Sequence, residues 1–175
     1  MQTNFKKNQL LDPEIENSEK IFRKCVHCGM CNATCPTYKI LGDELDGPRG
    51  RIYMIKDMLE NNKPASKKIV KHIDRCLSCY ACLTTCPSGV DYMHLIDHGR
   101  NHIERTYNRP IFERLLRAML AYVLPKPKLF KFLSKIVSFT KPLHFLLPKK
   151  IKQIISYIPK NFSSSQFPNN LVFKP

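Results

Sequence analysis

The stretches that decide the fold are "CVHCGMCNATCP" at residues 25–36 and its repeat "CLSCYACLTTCP" at residues 76–87. Together they hold all eight cysteines of the 175-residue chain, each with the spacing C-x2-C-x2-C-x3-C-P. The first residues are polar and charged and lack the apolar stretch of an export signal, which predicts a cytoplasmic protein. In that reducing compartment, thiols in such numbers are expected to bind metal rather than to form disulfides.

The cysteine spacing predicts two [4Fe-4S] clusters. Three cysteines at intervals of three residues can converge from a tight loop on one small inorganic core, whereas the fourth is free to reach the other cluster. The prediction is therefore a crossed arrangement that keeps the clusters close together, as electron transfer requires. One cluster is assigned to Cys25, Cys28, Cys31 and Cys86, and the other to Cys76, Cys79, Cys82 and Cys35. Zinc is the rival metal, but its structural sites use paired C-x2-4-C knuckles without a displaced fourth cysteine.

The charge divides the chain into two parts. Residues 1–108 carry a net charge of +3, whereas residues 109–175 carry +12 with Glu113 as their single acidic residue. We place a boundary at the Asn108-Arg109-Pro110 segment. Residues 1–108 are predicted to form a ferredoxin-type domain with two [4Fe-4S] clusters, and residues 109–175 a basic extension of amphipathic helices ending in a tail.

Hydrophobic periodicity predicts a mainly α fold without strands. Asp12 before Pro13 is typical of a helix start, and we expect a helix over residues 13–24. A second helix should end near Asn61, and a short third one should cover residues 65–75. A fourth follows the second cysteine run, with Gly99 allowing close approach of a neighbour. The apolar positions that define the second and fourth helices are Ile52, Ile55, Met58 and Leu59, and Met93, Ile96, Ile103 and Tyr107. Pro36 and Pro87 are expected to stop local helix and to set a turn after each run.

The basic part shows apolar stripes beside lysines. The stripe of "IFERLLRAMLAYV" consists of Phe112, Leu115, Leu116, Met119, Leu120 and Val123. Similar patterns occur in residues 129–139 and 149–158, and residues 161–175 are typical of a disordered tail or linker. No charge-free stretch approaches the roughly 20 residues of a membrane span. The stripes fit a membrane surface, a partner subunit or a packed helical linker.

Several polar residues near the runs have two interpretations. His27 is expected to be a neighbour of the first cluster rather than a ligand, because four cysteines complete the site. His94 and His98 are expected on a solvated helix face, with a metal role as the alternative.

An acidic and basic segment lies between the two runs. It is expected to form a salt-bridged loop that covers a cluster, with partner docking or substrate binding as the alternative. Its charged residues are Asp43, Glu44, Asp46, Arg49 and Arg51.

Four segments together resemble the iron-sulfur subunit of glycolate oxidase, also called glycolate dehydrogenase. These are the first cysteine run, "YKILGDELDGPRGRIYMIKDMLE" at 38–60, "HIDRCLSCYACLTTCPSGVDY" at 72–92 and "LIDHGR" at 95–100. The likeness runs from about residue 20 to 135, and "GDELDGPRGRIY" is its most specific element.

The resemblance implies a helical ferredoxin domain in a membrane-associated complex. Flavoprotein subunits of that complex would oxidise glycolate to glyoxylate, and this chain would carry the electrons to a quinone or another acceptor. The cluster ligands of the family fall on the eight cysteines assigned above. Members of the family continue into two further cysteine-rich domains, so a chain without cysteines after Cys86 is expected to be a fragment or a shortened form.

Two other functions remain open. The iron-sulfur subunits of glycerol-3-phosphate, lactate, heterodisulfide and succinate oxidoreductases share the cysteine runs. A zinc-stapled nucleic-acid-binding module would account for the basic part, but no nucleic-acid-binding motif is present and no nucleic acid is expected as a partner. The chain also lacks a Gly-rich phosphate loop, a nucleophile elbow and a nucleotide fingerprint, so no catalytic residue is assigned to it.

Overall fold

The computed structural model describes residues 1–139, with the backbone alone for residues 135–139. The chain divides into two compact units, Met1–Asn108 and Arg109–Pro175. Within the described residues all regular secondary structure is helical and no strand occurs, which confirms the predicted mainly α fold class. The predicted helix and tail at 149–158 and 161–175 lie outside the described residues.

The first unit contains six α-helices joined by short segments. Three 3-10 turns cover Gln9–Leu11, Met30–Thr34 and Glu44–Asp46. The helices are α1 (Pro13–Lys24), α2 (Pro36–Leu41), α3 (Pro48–Glu60), α4 (Lys67–Asp74), α5 (Ala81–Thr85) and α6 (Tyr92–Thr106).

Helix α1 begins as its sequence predicts. The Asp12 carboxylate accepts a hydrogen bond from the Glu14 amide at 2.9 Å, and Pro13 occupies the first helical position. The helix ends at Lys24 and thereby delivers Cys25 to the start of the first run.

Helices α3, α4 and α6 also occur where periodicity predicts them. The four apolar residues of α3 are all buried, and α4 begins two residues later than expected because Ser66 caps it. In α6, Ile96 and Ile103 are buried but Met93 is exposed, so Met93 was assigned to the wrong face. These helices and α1 enclose one core whose fully buried residues are Phe22, Ile55, Met58, Ile73, Leu95, Ile96 and Ile103.

Two glycines permit close contacts in this core. A Cβ atom on Gly99 of α6 would lie 2.8 Å from a side-chain carbon of Ile55 on α3, so the predicted close approach is confirmed. A Cβ atom on Gly50 would lie 2.2 Å from the Glu44 carbonyl oxygen. The 3-10 turn Glu44–Asp46 therefore packs directly on the backbone of α3.

The two prolines that close the cysteine runs have different roles. Pro87 lies in a turn, as predicted. The 3-10 turn Met30–Thr34 ends before Pro36, as predicted, but the turn expected at Pro36 is wrong, because Pro36 starts α2. Proline suits the first helical position, where its missing N–H would have no helical partner. Helix α2 ends at Gly42, which adopts a left-handed conformation with φ of 66°.

The second unit contains α7 (Ile111–Val123) and α8 (Pro127–Phe139) in its described part. Both agree with the predicted amphipathic helices. Val123 is half-buried and the other five residues of the predicted α7 stripe are exposed. Glu113 accepts hydrogen bonds from Arg109 at 2.9 Å and Arg117 at 3.2 Å. None of the described helices is long and apolar enough to cross a membrane.

Candidate metal centre

The two cysteine runs follow the same backbone path. In the first run His27 and Gly29 have φ values of 60° and 82°, and in the second run Ser78 and Tyr80, 51 positions later, have 51° and 55°. Left-handed residues at alternate positions are typical of nests, in which successive backbone N–H groups surround an anionic group. Such a conformation costs a non-glycine residue about 1 kcal/mol or more and is concentrated at functional sites. The sequence repeat is therefore also a repeat of an unusual local structure.

A first cavity gathers Cys25, Cys28, Cys31 and Cys86, and Cys82 also borders it. Its empty volume is about 440 Å³, including the open mouth. Cys25 is buried, Cys28 is exposed and the other two are half-buried. Burial, together with the neighbouring Cys25, Cys86 and Cys28, raises the pKa of Cys31 to about 11.

A second cavity gathers Cys76, Cys79, Cys82 and Cys35, with an empty volume of about 300 Å³. Cys35 and Cys82 are buried, Cys76 is half-buried and Cys79 is exposed. Burial raises the pKa of Cys82 to about 12, with further contributions from Cys31, Cys76 and Cys35. Each cavity therefore contains the first three cysteines of one run and the last cysteine of the other.

The two cavities are neighbours. Cys82, Pro48 and Tyr92 line both of them. Thr34 and Thr85, which occupy equivalent positions in the two runs, are joined by a hydrogen bond of 3.3 Å between their hydroxyl groups. The runs thus pack against each other through corresponding residues.

The donor set fits iron-sulfur clusters. Burial and neighbouring cysteines raise the pKa values of Cys31 and Cys82, so these two thiols resist ionisation by themselves. A bound iron core would supply the positive charge that stabilises thiolates, and the nest-like backbone of the two runs would suit a cluster whose net charge is negative.

A buried ionic network adjoins the second cavity. The Asp46 carboxylate is completely buried and accepts hydrogen bonds from His72 at 2.9 Å and Arg75 at 2.7 Å. Burial acts to raise the pKa of Asp46, but these two hydrogen bonds outweigh it and hold the pKa below its usual value. Arg51, only 1% exposed, lies 3.7 Å from the same carboxylate, and its Nη1 lies 3.9 Å from Cys35 Sγ. The predicted salt-bridged segment is present, and its Arg51 lies deeper than the sequence suggested.

Two further residues contact the second run and were missed in the sequence. The hydroxyl of the buried Tyr92 donates towards Cys76 Sγ at 3.6 Å, and burial raises the pKa of this phenol well above its usual value. Arg100 donates to the Cys76 carbonyl oxygen at 2.8 Å and to Ser78 Oγ at 2.7 Å. Helical periodicity could have predicted that Tyr92 is buried, because Tyr92 lies four residues before the buried Ile96 and therefore on the same face of α6.

The first cavity has a more open set of polar neighbours. His27 is half-buried beside it, with Nδ1 3.7 Å from Cys25 Sγ, and burial lowers the pKa of this imidazole. Arg49 donates to the Glu44 carboxylate at 2.5 Å and to the His27 carbonyl oxygen at 3.5 Å. Glu44 also accepts from the Asn32 amide at 2.9 Å. The assignment of His27 as a non-ligand stays a prediction.

The histidine pair of α6 does not form the solvated face that we expected. His94 and His98 are half-buried and face α1, where the Ser18 hydroxyl lies 3.2 Å from His94 Nε2 and 2.7 Å from His98 Nδ1. The i, i+4 spacing identified the shared face, but not the helix that covers it.

A helical domain with this pair of cysteine-lined cavities has the ligand set of an iron-sulfur protein. The family model described as a 4Fe-4S dicluster domain matches residues 21–90, which include both runs. Over these residues the chain matches a 4Fe-4S dicluster domain, which agrees with the eight cysteines around the two cavities.

Its relatives make the assignment more specific. The chain is 47% identical over 152 residues to the glycolate oxidase iron-sulfur subunit of Escherichia coli (strain K12), covering 87% of this chain and 36% of that protein. It is 35% identical over 94 residues to the probable glycolate oxidase iron-sulfur subunit of Bacillus subtilis (strain 168), covering 53% and 21%. The succinate dehydrogenase iron-sulfur subunit of Paracoccus denitrificans is 26% identical over 85 residues, covering 44% and 33%. No solved structure matches significantly.

These comparisons confirm the resemblance to the glycolate oxidase iron-sulfur subunit. The chain spans about a third or less of the length of these relatives.

Proposed function

We propose that this chain is the electron-transfer subunit, or part of it, of a glycolate oxidase complex. In this complex flavoprotein subunits oxidise glycolate to glyoxylate, and the electrons pass through this chain to a quinone or another acceptor. The observation that carries the proposal is the pair of adjacent cysteine-lined cavities in a chain 47% identical to a glycolate oxidase iron-sulfur subunit.

The proposed sites contain two [4Fe-4S] clusters. Cys25, Cys28, Cys31 and Cys86 hold one, and Cys76, Cys79, Cys82 and Cys35 hold the other. The composition of each cavity supports this crossed assignment, since each includes the last cysteine of the opposite run.

Bound [4Fe-4S] clusters supply reversible one-electron chemistry. The chain contributes placement and environment to that chemistry. The shared wall of Cys82, Pro48 and Tyr92 keeps the two sites adjacent. Cys28 and Cys79 are the exposed cysteines, so each site reaches the surface and is accessible to a separate redox partner.

The two parts of the chain have different proposed roles. Residues 1–108 form the cluster-binding domain, and residues 109–175 form the basic extension that contacts a partner subunit or the inner face of the cytoplasmic membrane. The exposed apolar stripe of α7 and the net charge of +12 support such a contact.

Anaerobic purification followed by reduction tests this function. We expect a brown protein with broad absorbance near ~400 nm and about eight iron atoms per chain. With the flavoprotein subunits present, glycolate should bleach this absorbance, whereas glycerol 3-phosphate, lactate and succinate should do so far more slowly. A colourless protein with about two zinc ions would support the zinc module instead. Equal bleaching by another substrate would assign the chain to a different dehydrogenase.

A further inference from the structure

A second type of metal-ligand group lies between α1 and α6, apart from the cysteines. Glu14 of α1 and His94 and His98 of α6 each offer one ligand atom, and these three atoms all lie within 4.8 Å of one another. The two histidines are one helical turn apart and therefore share a face, with ring centroids 6.1 Å apart.

The protein holds both imidazole rings against α1 through one shared hydroxyl group. Ser18 is completely buried, and its hydroxyl contacts a nitrogen of His94 at 3.2 Å and a nitrogen of His98 at 2.7 Å. Asn17 adds a contact of 3.4 Å to the same nitrogen of His94. Two rings oriented by one buried hydroxyl lose little freedom when an ion binds.

The third ligand is available. Glu14 is exposed, and its carboxylate makes no hydrogen bond or salt bridge with the described residues. The groove around the group has an empty volume of about 830 Å³, including its open side, and Asp91 and Asp97 line it as well. Arg105 is the cationic residue in this lining, so acidic groups outnumber it.

We propose that Glu14, His94 and His98 bind one divalent transition-metal ion, such as Zn²⁺, in addition to the iron of the clusters. Two imidazoles and one carboxylate are a ligand set suited to zinc and its neighbours, and the open groove leaves room for water as a further ligand. Magnesium and calcium, which prefer oxygen ligands, are not expected here.

The position of the ion gives it a structural role. Helix α1 ends immediately before Cys25, and α6 begins six residues after Cys86. An ion held by both helices would clamp together the two elements that bring these cysteines to the first cavity.

The test titrates Zn²⁺ into the iron-loaded protein under anaerobic conditions. We expect about one Zn²⁺ per chain, with iron content and cluster absorbance unchanged. Glu14→Gln and His98→Ala should each weaken Zn²⁺ binding about 100-fold or more. Removing a residue that only hydrogen-bonds to a metal ligand costs about 10–100-fold in affinity, and removing the ligand itself costs more. His102→Ala is the matched control: it lies on the same helix, contacts the Lys63 carbonyl oxygen instead, and should bind Zn²⁺ like the wild type.

Thermal unfolding provides a second measurement. Saturating Zn²⁺ should raise the melting temperature of the wild type and of His102→Ala, but not that of Glu14→Gln. Glu14→Gln alters an exposed side chain, so it keeps the test valid if His98→Ala fails to fold. Unchanged zinc binding in Glu14→Gln and His98→Ala would overturn the proposal. Zinc uptake accompanied by loss of iron would assign the binding to cysteines and also overturn it.

Discussion

The two cysteine-lined cavities share a ligand spacing and a backbone conformation, but they differ in the charges that surround them. Beside the second cavity Arg51 is 1% exposed, bound into a network around a completely buried carboxylate. Beside the first, Arg49 is partly exposed and pairs with Glu44, which is also accessible to solvent. A repeated motif thus fixes the ligands, whereas the intervening residues give each site its own electrostatic environment. The second site is expected to have the higher reduction potential, because buried donors near the cluster sulfurs favour the reduced state.

The largest expected effect is loss of a whole cluster, which tests whether the cavities are crossed. Cys86→Ala, which offers no ligand atom, should leave about four iron atoms per chain. Adding Cys28→Ala should remove no more iron, because both cysteines line the first cavity. Combining Cys86→Ala with Cys79→Ala should instead remove nearly all the iron, because Cys79 lines the second cavity. Iron and sulfide analysis of the two double variants gives the answer.

The same experiment has an opposite outcome if each run holds its own cluster. The Cys86→Ala, Cys79→Ala double variant would then keep about four iron atoms, and the Cys86→Ala, Cys28→Ala variant would lose all of them. That result would contradict the crossed assignment.

The next largest effect concerns the buried network, which has no counterpart at the first cavity. Asp46→Asn removes the charge that compensates Arg51 and Arg75, and loss of one partner of a buried ion pair costs about 3 kcal/mol or more. Hydrogen exchange in the iron-loaded protein should show α3 and α4 opening more easily by that amount.

Asp43→Asn is the matched control for this change. Asp43 is exposed and caps the turn Glu44–Asp46 by accepting from the Leu45 amide at 2.9 Å. Asparagine caps as well as aspartate, so the exchange of α3 should stay within about 0.5 kcal/mol of the wild type. Equal effects of the two substitutions would show that the Asp46 network does not stabilise this region.

The sequence could predict the cysteine sets and most helices because these depend on local patterns. Spacing identified the eight cysteines. The capping residues placed α1, helical periodicity indicated α3 and α6, and the predicted start of α4 was two residues early. The depth of Arg51 was less evident, although it lies four residues before Ile55 on the buried face of α3. A charged side chain is normally expected to be exposed to solvent. Arg51 can be buried because Asp46 and His72 provide partners for its guanidinium group.

Other features could not be predicted because they depend on contacts distant in sequence. The left-handed conformations of His27, Ser78 and Tyr80 are not preferred by these residues, and the packed runs impose them. His94 and His98 face α1 because of Ser18, about 80 positions earlier in the chain. Pro36 was misassigned since proline both stops and starts helices, and only the following residues decide which.

A smaller expected effect tests the potential difference between the cavities. Tyr92→Phe removes the hydroxyl that lies 3.6 Å from Cys76 Sγ. A hydrogen bond worth about 1 kcal/mol in the reduced state corresponds to tens of millivolts, on the order of 40 mV, for a one-electron centre. Tyr92→Phe should therefore lower the reduction potential of the second cluster and leave that of the first unchanged. A redox titration followed by electron paramagnetic resonance measures both potentials.

Tyr53→Phe serves as the control for the tyrosine hydroxyl. Tyr53 is exposed, and its ring lies edge-on to His27 with centroids 6.2 Å apart. Neither potential should change measurably in this variant. A shift of equal size in both variants would exclude the Tyr92 hydroxyl as the cause of the difference.

The smallest effect compares two left-handed glycines to measure how firmly Arg49 is held beside the first cavity. Gly29 and Gly89 have φ values of 82° and 58°, so alanine at either position costs about 1 kcal/mol. A Cβ atom at Gly89 would meet nothing within 4 Å, whereas at Gly29 it would lie 2.5 Å from Arg49 Nη1. Arg49 is partly exposed and can move away from an added Cβ atom. Gly29→Ala should therefore lower the free energy of local opening by only about 0.5 kcal/mol more than Gly89→Ala does. Hydrogen exchange of the residues around each glycine measures the two opening energies. An excess of several kcal/mol at Gly29 would mean that Arg49 is as fixed as Arg51.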